Sequence, residues 1–432
     1  MAKSSKDLSI VDLVVDMIHA SVANSKEFGR RAIGTCPFCN NLIIRTFIAS
    51  DKDGKYSCFS CGESGDAKDF LIKAFGFTDD EAKDMLNSRL GAKSHFTEKS
   101  RFHNRLLTDA NKAAANFYYT NLIEGKDEGC KKAYEYLKSR GLTDATIKSF
   151  GLGYSRYGVC GHLKKEGIST DSLVECGLGK VDNDKVKDKM FNRVMFPIVE
   201  KTSEGSVVVG FGGRLMDYPD PKFPNAPKYL NTQTTPVFDK KSFLYAWNYV
   251  CNSRRKGVIL CEGYMDVISL HQAGFDNATA TLGTAFTRYH AMIIRKRTDT
   301  VYICYDSDDA GVTAKLRAIP ILRAEGLKVR ILSCYPYKDP DELIRKKSPE
   351  AFEKVLQRSM DSYDYVILQM KEKAESEEKF NKEFAHMIVD LPKNDFKCFV
   401  DAYNRMRKKD NAEDDSVEDV YSNILNGYKL KF

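Results

Sequence analysis

The chain lacks a secretory signal: its first segment with helical periodicity, Leu8 to Ala20, mixes apolar and charged residues and has no continuous apolar core. Neither export nor a membrane anchor is expected, which points to a reducing, cytoplasmic setting. The chain also lacks a Gly-x-x-x-x-Gly-Lys-[Ser/Thr] run, and Gly177-Leu178-Gly179-Lys180 is too short to serve, so a P-loop motor is excluded. A second set of paired cysteines is missing as well. Cys130, Cys160, Cys176, Cys251, Cys261, Cys304, Cys334 and Cys398 are scattered and are expected as small core residues.

With 432 residues and 42% hydrophobic content, the chain supports two or three ordinary globular cores. Its net charge of +7 is unevenly placed. Lys180 to Lys256 holds 14 basic against 8 acidic residues, a surplus of 6, whereas residues 1–103 are nearly balanced at 15 against 14. A basic surface in the middle of the chain suits an anionic polymer or a nucleotide.

Two motifs carry chemistry. Cys36-Pro37-Phe38-Cys39 and Cys58-Phe59-Ser60-Cys61 are cysteine knuckles separated by eighteen residues. Two residues between cysteines let both sulfurs reach one ion, and four thiolates close a tetrahedral zinc site. Between the knuckles, Arg45 to Ile48 and Lys55 to Cys58 read as strands joined by a hairpin turn at Asp51-Lys52-Asp53-Gly54. The pattern predicts a zinc ribbon holding one structural Zn²⁺. Arg45, Phe47, Lys55, Tyr56 and Phe59 are candidates for stacking on bases and pairing with phosphates; small-core packing is the competing expectation for Tyr56 and Phe59.

The second motif is acidic. Glu262 follows the apolar run Val258 to Cys261, Asp306-Ser307-Asp308-Asp309-Ala310-Gly311 follows Val301 to Tyr305, and Asp339-Pro340-Asp341-Glu342 lies further on. The two apolar runs read as buried parallel strands, so the acids fall where strands end and helices begin, the edge at which open α/β sheets bind ligands. Carboxylates converging there need divalent cations, and Mg²⁺ or Mn²⁺ suits oxygen ligands that also bridge to phosphate. The alternative for Asp308 is a helix N-cap.

A glutamate after one strand, Asp-x-Asp-x-x-Gly after a later one and a further acidic pair resemble the Toprim domain of primases, topoisomerases and some nucleases. Asn192 to Ile198, Val209 to Arg214, Pro227 to Asn231 and Phe238 to Lys241 recur in this order in DnaG-type primases, with a zinc ribbon before them. The resemblance spans residues from about 30 to 345 and is to a compact phage or plasmid version of that family. It implies a multidomain α+β and α/β chain: a zinc-binding domain over 1–90, a linker over 91–106, a basic subdomain over 107–253, Toprim over 254–346 and helices over 347–432.

The resemblance further implies synthesis of short RNA primers on single-stranded DNA from ribonucleoside triphosphates by two-metal nucleotidyl transfer. Glu262, Asp306, Asp308, Asp339 and Asp341 would hold the metals with Asp266 in support, Glu262 serving as ligand or as base. Catalysis is assigned to Glu262, Asp306 and Asp308, and Arg193, Arg214, Lys228, Asn231 and Lys240 would face nucleotide and template. Many relatives carry histidine at the position of Cys39, so a four-cysteine site is a departure that bears on template preference. A replicative helicase and other replisome proteins are the expected partners, although only some sixty residues follow Met370. A type IA topoisomerase places its Toprim domain first. A recombination mediator of the RecR kind is much shorter and lacks the Arg193, Arg214 and Lys228 motifs.

Overall fold

The computed structural model describes residues 9–18, 21–25, 29–34, 36–38, 47–59, 61–75, 77, 79–80, 82–83, 85–86, 98–202, 205–218, 224–389, 391 and 393–409. Cys39, Arg45, residues 91–97 of the expected linker and the acidic run Glu413-Asp414-Asp415 lie outside them, whereas residues 98–106, expected as the rest of that linker, are helical and open the helix Glu98–Glu124. The chain forms two compact units, residues 1–102 and 103–432. Among the described residues no helix is long and apolar enough to cross a membrane.

The first unit is an antiparallel meander, β1 (Ser21–Ser25), β2 (Gly29–Gly34), β3 (Phe47–Ser50), β4 (Lys55–Cys58) and β5 (Ser64–Gly65), in that spatial order. The expected hairpin joins β3 to β4, with Gly54 at φ +65° closing the turn where a side chain would be strained. So small a sheet buries little, and a cluster of aromatic rings sits in its core beside aliphatic residues such as Val11, Leu13 and Leu71. Tyr56 lies 5.4 Å from Phe38, 5.5 Å from Phe47 and 5.4 Å from Phe70 between ring centroids, Phe70 coming from the helix Ala67–Phe75. The helix Ile10–Ile18 is fixed by Asp51, whose carboxylate accepts from Val11 N at 3.0 Å and Ser9 Oγ at 2.9 Å.

Besides a separate two-stranded sheet, β7 (Gly179–Asp182) paired with β8 (Lys185–Asp188), the second unit contains two larger ones. In the antiparallel one, β6 (Gly153–Ser155), β9 (Arg193–Thr202), β10 (Gly205–Leu215) and β11 (Tyr229–Asn231) lie in the order β11-β10-β9-β6. Helices Glu98–Glu124, Glu128–Ser139 and Asp144–Ser149 precede it in the chain. The other sheet has the order β13-β12-β14-β15-β16, from β12 (Val258–Cys261), β13 (Ala278–Ala280), β14 (Thr300–Cys304), β15 (Lys328–Ile331) and β16 (Met360–Asp361). Its first four members run parallel and β16 is an antiparallel edge.

Alternation along β12 divides the packing. Val258 and Leu260 enter a core with Val301, Ile303, Ile294 and Leu322. Ile259 and Cys261 face the opposite core, which also takes Val194, Phe196, Ile198 and Val209 from the antiparallel sheet. Both faces of the strand are therefore dry, as its unbroken apolar sequence predicts. Phe196 stacks on Tyr264 at 4.8 Å within this shared core, so the two sheets hold one another in register. The helices Ser362–Lys373, Glu377–Val389 and Lys393–Lys409 close around Ile367, Phe380, Phe384, Ile388 and Phe399 as a separate cluster.

Candidate active site and zinc centre

Three strands of the parallel sheet deliver the acids to one edge. Glu262 directly follows β12, Asp306 and Asp308 follow β14, and Asp339 and Asp341 lie beyond β15. Glu262 Oε1 accepts from Asp306 N at 3.0 Å, which joins the first two groups. Asp308 caps the helix Asp309–Ala324 through Gly311 N at 2.9 Å, so it fulfils the N-cap role while its other oxygen projects from an exposed residue. Asp339 caps the helix Pro340–Lys346 through Glu342 N at 2.7 Å.

Burial, reinforced by Asp306 and Asp308, pushes the Glu262 carboxyl up from its ordinary range. Burial also raises Asp339, and Asp266 stands well above the usual carboxylate range because it is buried beside Asp339, Asp306 and Asp341. Asp266 is engaged locally: it accepts from Gly263 N at 3.1 Å and so begins the helix Tyr264–Gln272. Carboxylates that are desolvated and repel one another, as Glu262 and Asp339 are, suit a hard divalent cation.

Asp341 is placed differently from its expected partners. It is fully buried and pairs with Arg140, with Arg345 at 3.0 Å and with the Ser269 hydroxyl. Its charge is thereby matched by two guanidinium groups, one from the helix Glu128–Ser139 region and one from its own helix, and it serves to fasten the acidic edge to the rest of the unit. Arg140, Arg345 and Ser269 carry no motif that marks them in the sequence; only the fold brings them together.

Two lysines also went unnoticed in the sequence. Lys338 Nζ pairs with Asp306 Oδ2 at 2.9 Å, and Lys315 Nζ donates to Asp306 O at 2.9 Å. Lys338 adjoins Asp339, and a basic residue inside an acidic motif was the signal available for it.

The expected nucleotide-facing set separates into two kinds. Arg193 is only 4% exposed and donates to the carbonyls of Gly213 at 3.0 Å, Pro227 at 2.9 Å and Lys228 at 3.3 Å, so it braces the loop that carries Lys228. Asn231 accepts from Tyr264 Oη at 2.7 Å and donates to Leu282 O at 2.6 Å, which ties β11 to the parallel-sheet half. Arg214 lies 4.1 Å from the Tyr136 ring. Lys228 is exposed and Lys240 half-buried. Burial, then Lys240 and Lys180, lowers the Lys189 ammonium, which places three cations in one patch. Lys180, Lys189 and Lys240 thus lie close enough to act on one another, whereas Arg193 and Asn231 are taken up by protein partners.

In the ribbon, the ligand sulfurs of Cys36, Cys58 and Cys61 lie within 4.8 Å of one another, with 3.9 Å between Cys36 and Cys61. A tetrahedral ion with sulfurs at about 2.3 Å spaces them by about 3.8 Å, so the three thiolates fit zinc. Phe47 and Tyr56 are 0% and 1% exposed and cannot stack on bases, a correction that follows from how little else the ribbon has to bury. Phe59, at 76% exposure, and Lys55 remain on the surface.

Three family models match in succession: a CHC2 zinc finger over residues 2–102, the N-terminal domain of the DNA primase catalytic core over 117–250 and a Toprim-like domain over 259–344. A DNA primase of Clostridium acetobutylicum is 35% identical over 401 residues, 89% of this chain and 64% of that protein. The chain belongs to the DnaG-type primase family. It spans just under two thirds of that relative's length. Among solved structures of the primase family, the Aquifex aeolicus primase, comprising zinc-binding and RNA polymerase domains, is similar at TM-score 0.60 and 25% identity, covering 97% of this chain and 99% of that one. A DNA primase domain from Pseudomonas aeruginosa is 30% identical at TM-score 0.60, covering 73% of this chain and 98% of that one. The order of ribbon, primase core and Toprim-like domain favours neither a topoisomerase nor a RecR-like mediator.

Proposed function

We propose that this chain is a DNA primase that joins ribonucleotides into short RNA primers on single-stranded DNA. The observation that supports this most is the hydrogen bond from Asp306 N to Glu262 Oε1 at 3.0 Å, which joins these two residues on a sheet edge that also carries Asp308, in a chain of the primase family. A divalent ion bound there, Mg²⁺ or Mn²⁺, would polarise the attacking 3′-hydroxyl and neutralise charge on the departing pyrophosphate. Glu262, Asp306 and Asp308 would hold it, with Asp339 as a further ligand. Glu262, whose carboxyl is raised by burial, also suits a base that takes the hydroxyl proton.

Lys180, Lys189, Lys228 and Lys240 would track template and triphosphate phosphates as point charges. Arg193 would act indirectly by fixing the Pro227-Lys228 backbone. Phe59 and Lys55 would meet template bases from the zinc ribbon. The domain limits inferred above, a cytoplasmic location and a replicative helicase as partner belong to the same proposal.

The test is incubation of the full chain with single-stranded DNA, ribonucleoside triphosphates and either Mg²⁺ or Mn²⁺. Short RNA oligomers should appear with the wild type and vanish with Asp306→Asn. Oligomers of undiminished yield from Asp306→Asn would remove the acidic edge from the chemistry.

A further inference from the structure

Asp306 is held by two lysines that differ in what they are free to do. Lys315 is 5% exposed, its ammonium bonds the Asp306 carbonyl at 2.9 Å, and Glu262 and Cys304 adjoin it, so it is a fixed part of the site. Lys338 reaches the carboxylate itself, at 2.9 Å from Oδ2, and its side chain is 60% exposed.

The root of Lys338 is anchored nonetheless. Its N–H donates to Glu342 Oε2 at 2.8 Å, its carbonyl accepts from Ser307 N at 3.0 Å, and the Ser307 hydroxyl donates to the neighbouring Tyr337 carbonyl at 3.3 Å. The loop that bears Lys338 is therefore fastened to the loop that bears Asp306 and Asp308, while the flexible stem and ammonium extend into solvent.

The other carboxylates of the edge are satisfied differently. Glu262 Oε1, Asp308 Oδ1 and Asp339 Oδ1 each accept a backbone N–H, which orients them without cancelling their charge. Asp306 Oδ2 alone among these contacts is paired with a full positive charge on a solvent-exposed side chain. An ammonium and a divalent ion on one carboxylate oxygen repel each other at contact distance, so the two compete for it. An ion pair this exposed is weak, so a divalent ion with several oxygens to gain displaces it.

We propose that Lys338 is a displaceable counter-cation: its ammonium pairs with Asp306 Oδ2, yields that oxygen to a divalent ion and then turns to the triphosphate of the incoming nucleotide. This rests on the reading of Glu262, Asp306 and Asp308 as a divalent-metal site. Lys338 thereby lowers repulsion among the acids before a cation binds and supplies a phosphate contact only afterwards. An ammonium on a four-carbon stem suits that task, since it bonds in any direction and keeps its charge as it moves.

The experiment is a Mn²⁺ titration followed by electron paramagnetic resonance on the full chain without nucleotide, paired with primer-synthesis kinetics. Wild type should bind Mn²⁺ and Asp306→Asn should not; absence of Mn²⁺ binding by wild type would overturn the metal reading itself. Lys338→Met keeps the stem and removes the charge, and it should bind Mn²⁺ about fivefold more tightly, the size of one exposed ion pair. The same variant should raise KM for ribonucleotide about tenfold, as expected for a lost phosphate contact. Lys338→Arg should stay near wild type in both readouts. Equal or weaker Mn²⁺ binding by Lys338→Met would overturn the competition, and an unchanged KM would overturn the triphosphate contact.

Discussion

Gly311 lies so close to Asp306 that a Cβ on it would strike the Asp306 carbonyl and come within 2.9 Å of Glu262 Oε1. The glycine of the Asp-x-Asp-x-x-Gly pattern is thus a spacing device that lets the helix Asp309–Ala324 start directly beneath two site acids.

Gly311→Ala should consequently push Asp306 away from Glu262. A displacement of about 1 Å costs on the order of a hundredfold in turnover. Primer synthesis should fall by that order with zinc content unchanged; retention of full activity would show that the acids tolerate the shift.

Asp341 and Asp308 should fail in different ways. Asp341→Ala leaves Arg140 and Arg345 without the buried carboxylate that they share, and the core should lose about 3 kcal/mol in denaturant unfolding. Asp308→Ala loses one helix cap at an exposed position, about 1 kcal/mol, yet should abolish primer synthesis. A stable, inactive Asp341→Ala variant would move that residue into the metal set.

Ribbon aromatics offer a similar contrast. Tyr56→Ala removes a ring packed on three others and should destabilise the ribbon by about 3 kcal/mol, whereas Phe59→Ala should leave its stability unchanged and weaken template binding. Cys58→Ser should release zinc and unfold the ribbon, measured as zinc per chain and as loss of near-ultraviolet ellipticity. Template binding indifferent to Phe59→Ala would move template reading elsewhere.

His290 is fully buried, and burial lowers its imidazole to about 4 despite its bonds to neighbouring carbonyls. Its Nδ1 accepts from Thr287 N at 3.1 Å, so the neutral ring donates from Nε2 to Lys240 O at 3.2 Å. A histidine whose folded value is depressed contributes stability that is present above its unfolded value near 6.5 and is lost as pH falls through the folded value. The His290 ring resonances should show no titration between pH 7.5 and 5.5, while unfolding becomes easier from about pH 6.5 downward. A titration midpoint near the unfolded value would mean that the Lys240 loop opens freely.

Local chemistry was legible in the chain. Cysteine spacing, the Asp-Gly hairpin, two apolar strands ending in acids and the order of the motifs depend on short stretches, and β3, β4, β12 and β14 formed where those stretches lie. Less legible were β1 and β2, because polar strands such as Ser21–Ser25 and Gly29–Gly34 lack an apolar alternation. The resemblance also implied that Arg193 and Asn231 face ligand, and a sequence does not state whether a polar group already has a protein partner.

What the sequence by itself determined is therefore the kind of chemistry available at each strand end and the class of fold that displays it. Tertiary structure decided which groups are spent. It paired Asp341 with Arg140 across 201 positions of chain, buried Tyr56 among rings and set Lys338 on Asp306. Those outcomes depend on contacts between distant segments, where desolvation forces each buried charge or ring to find a partner, and no local pattern specifies which partner that is.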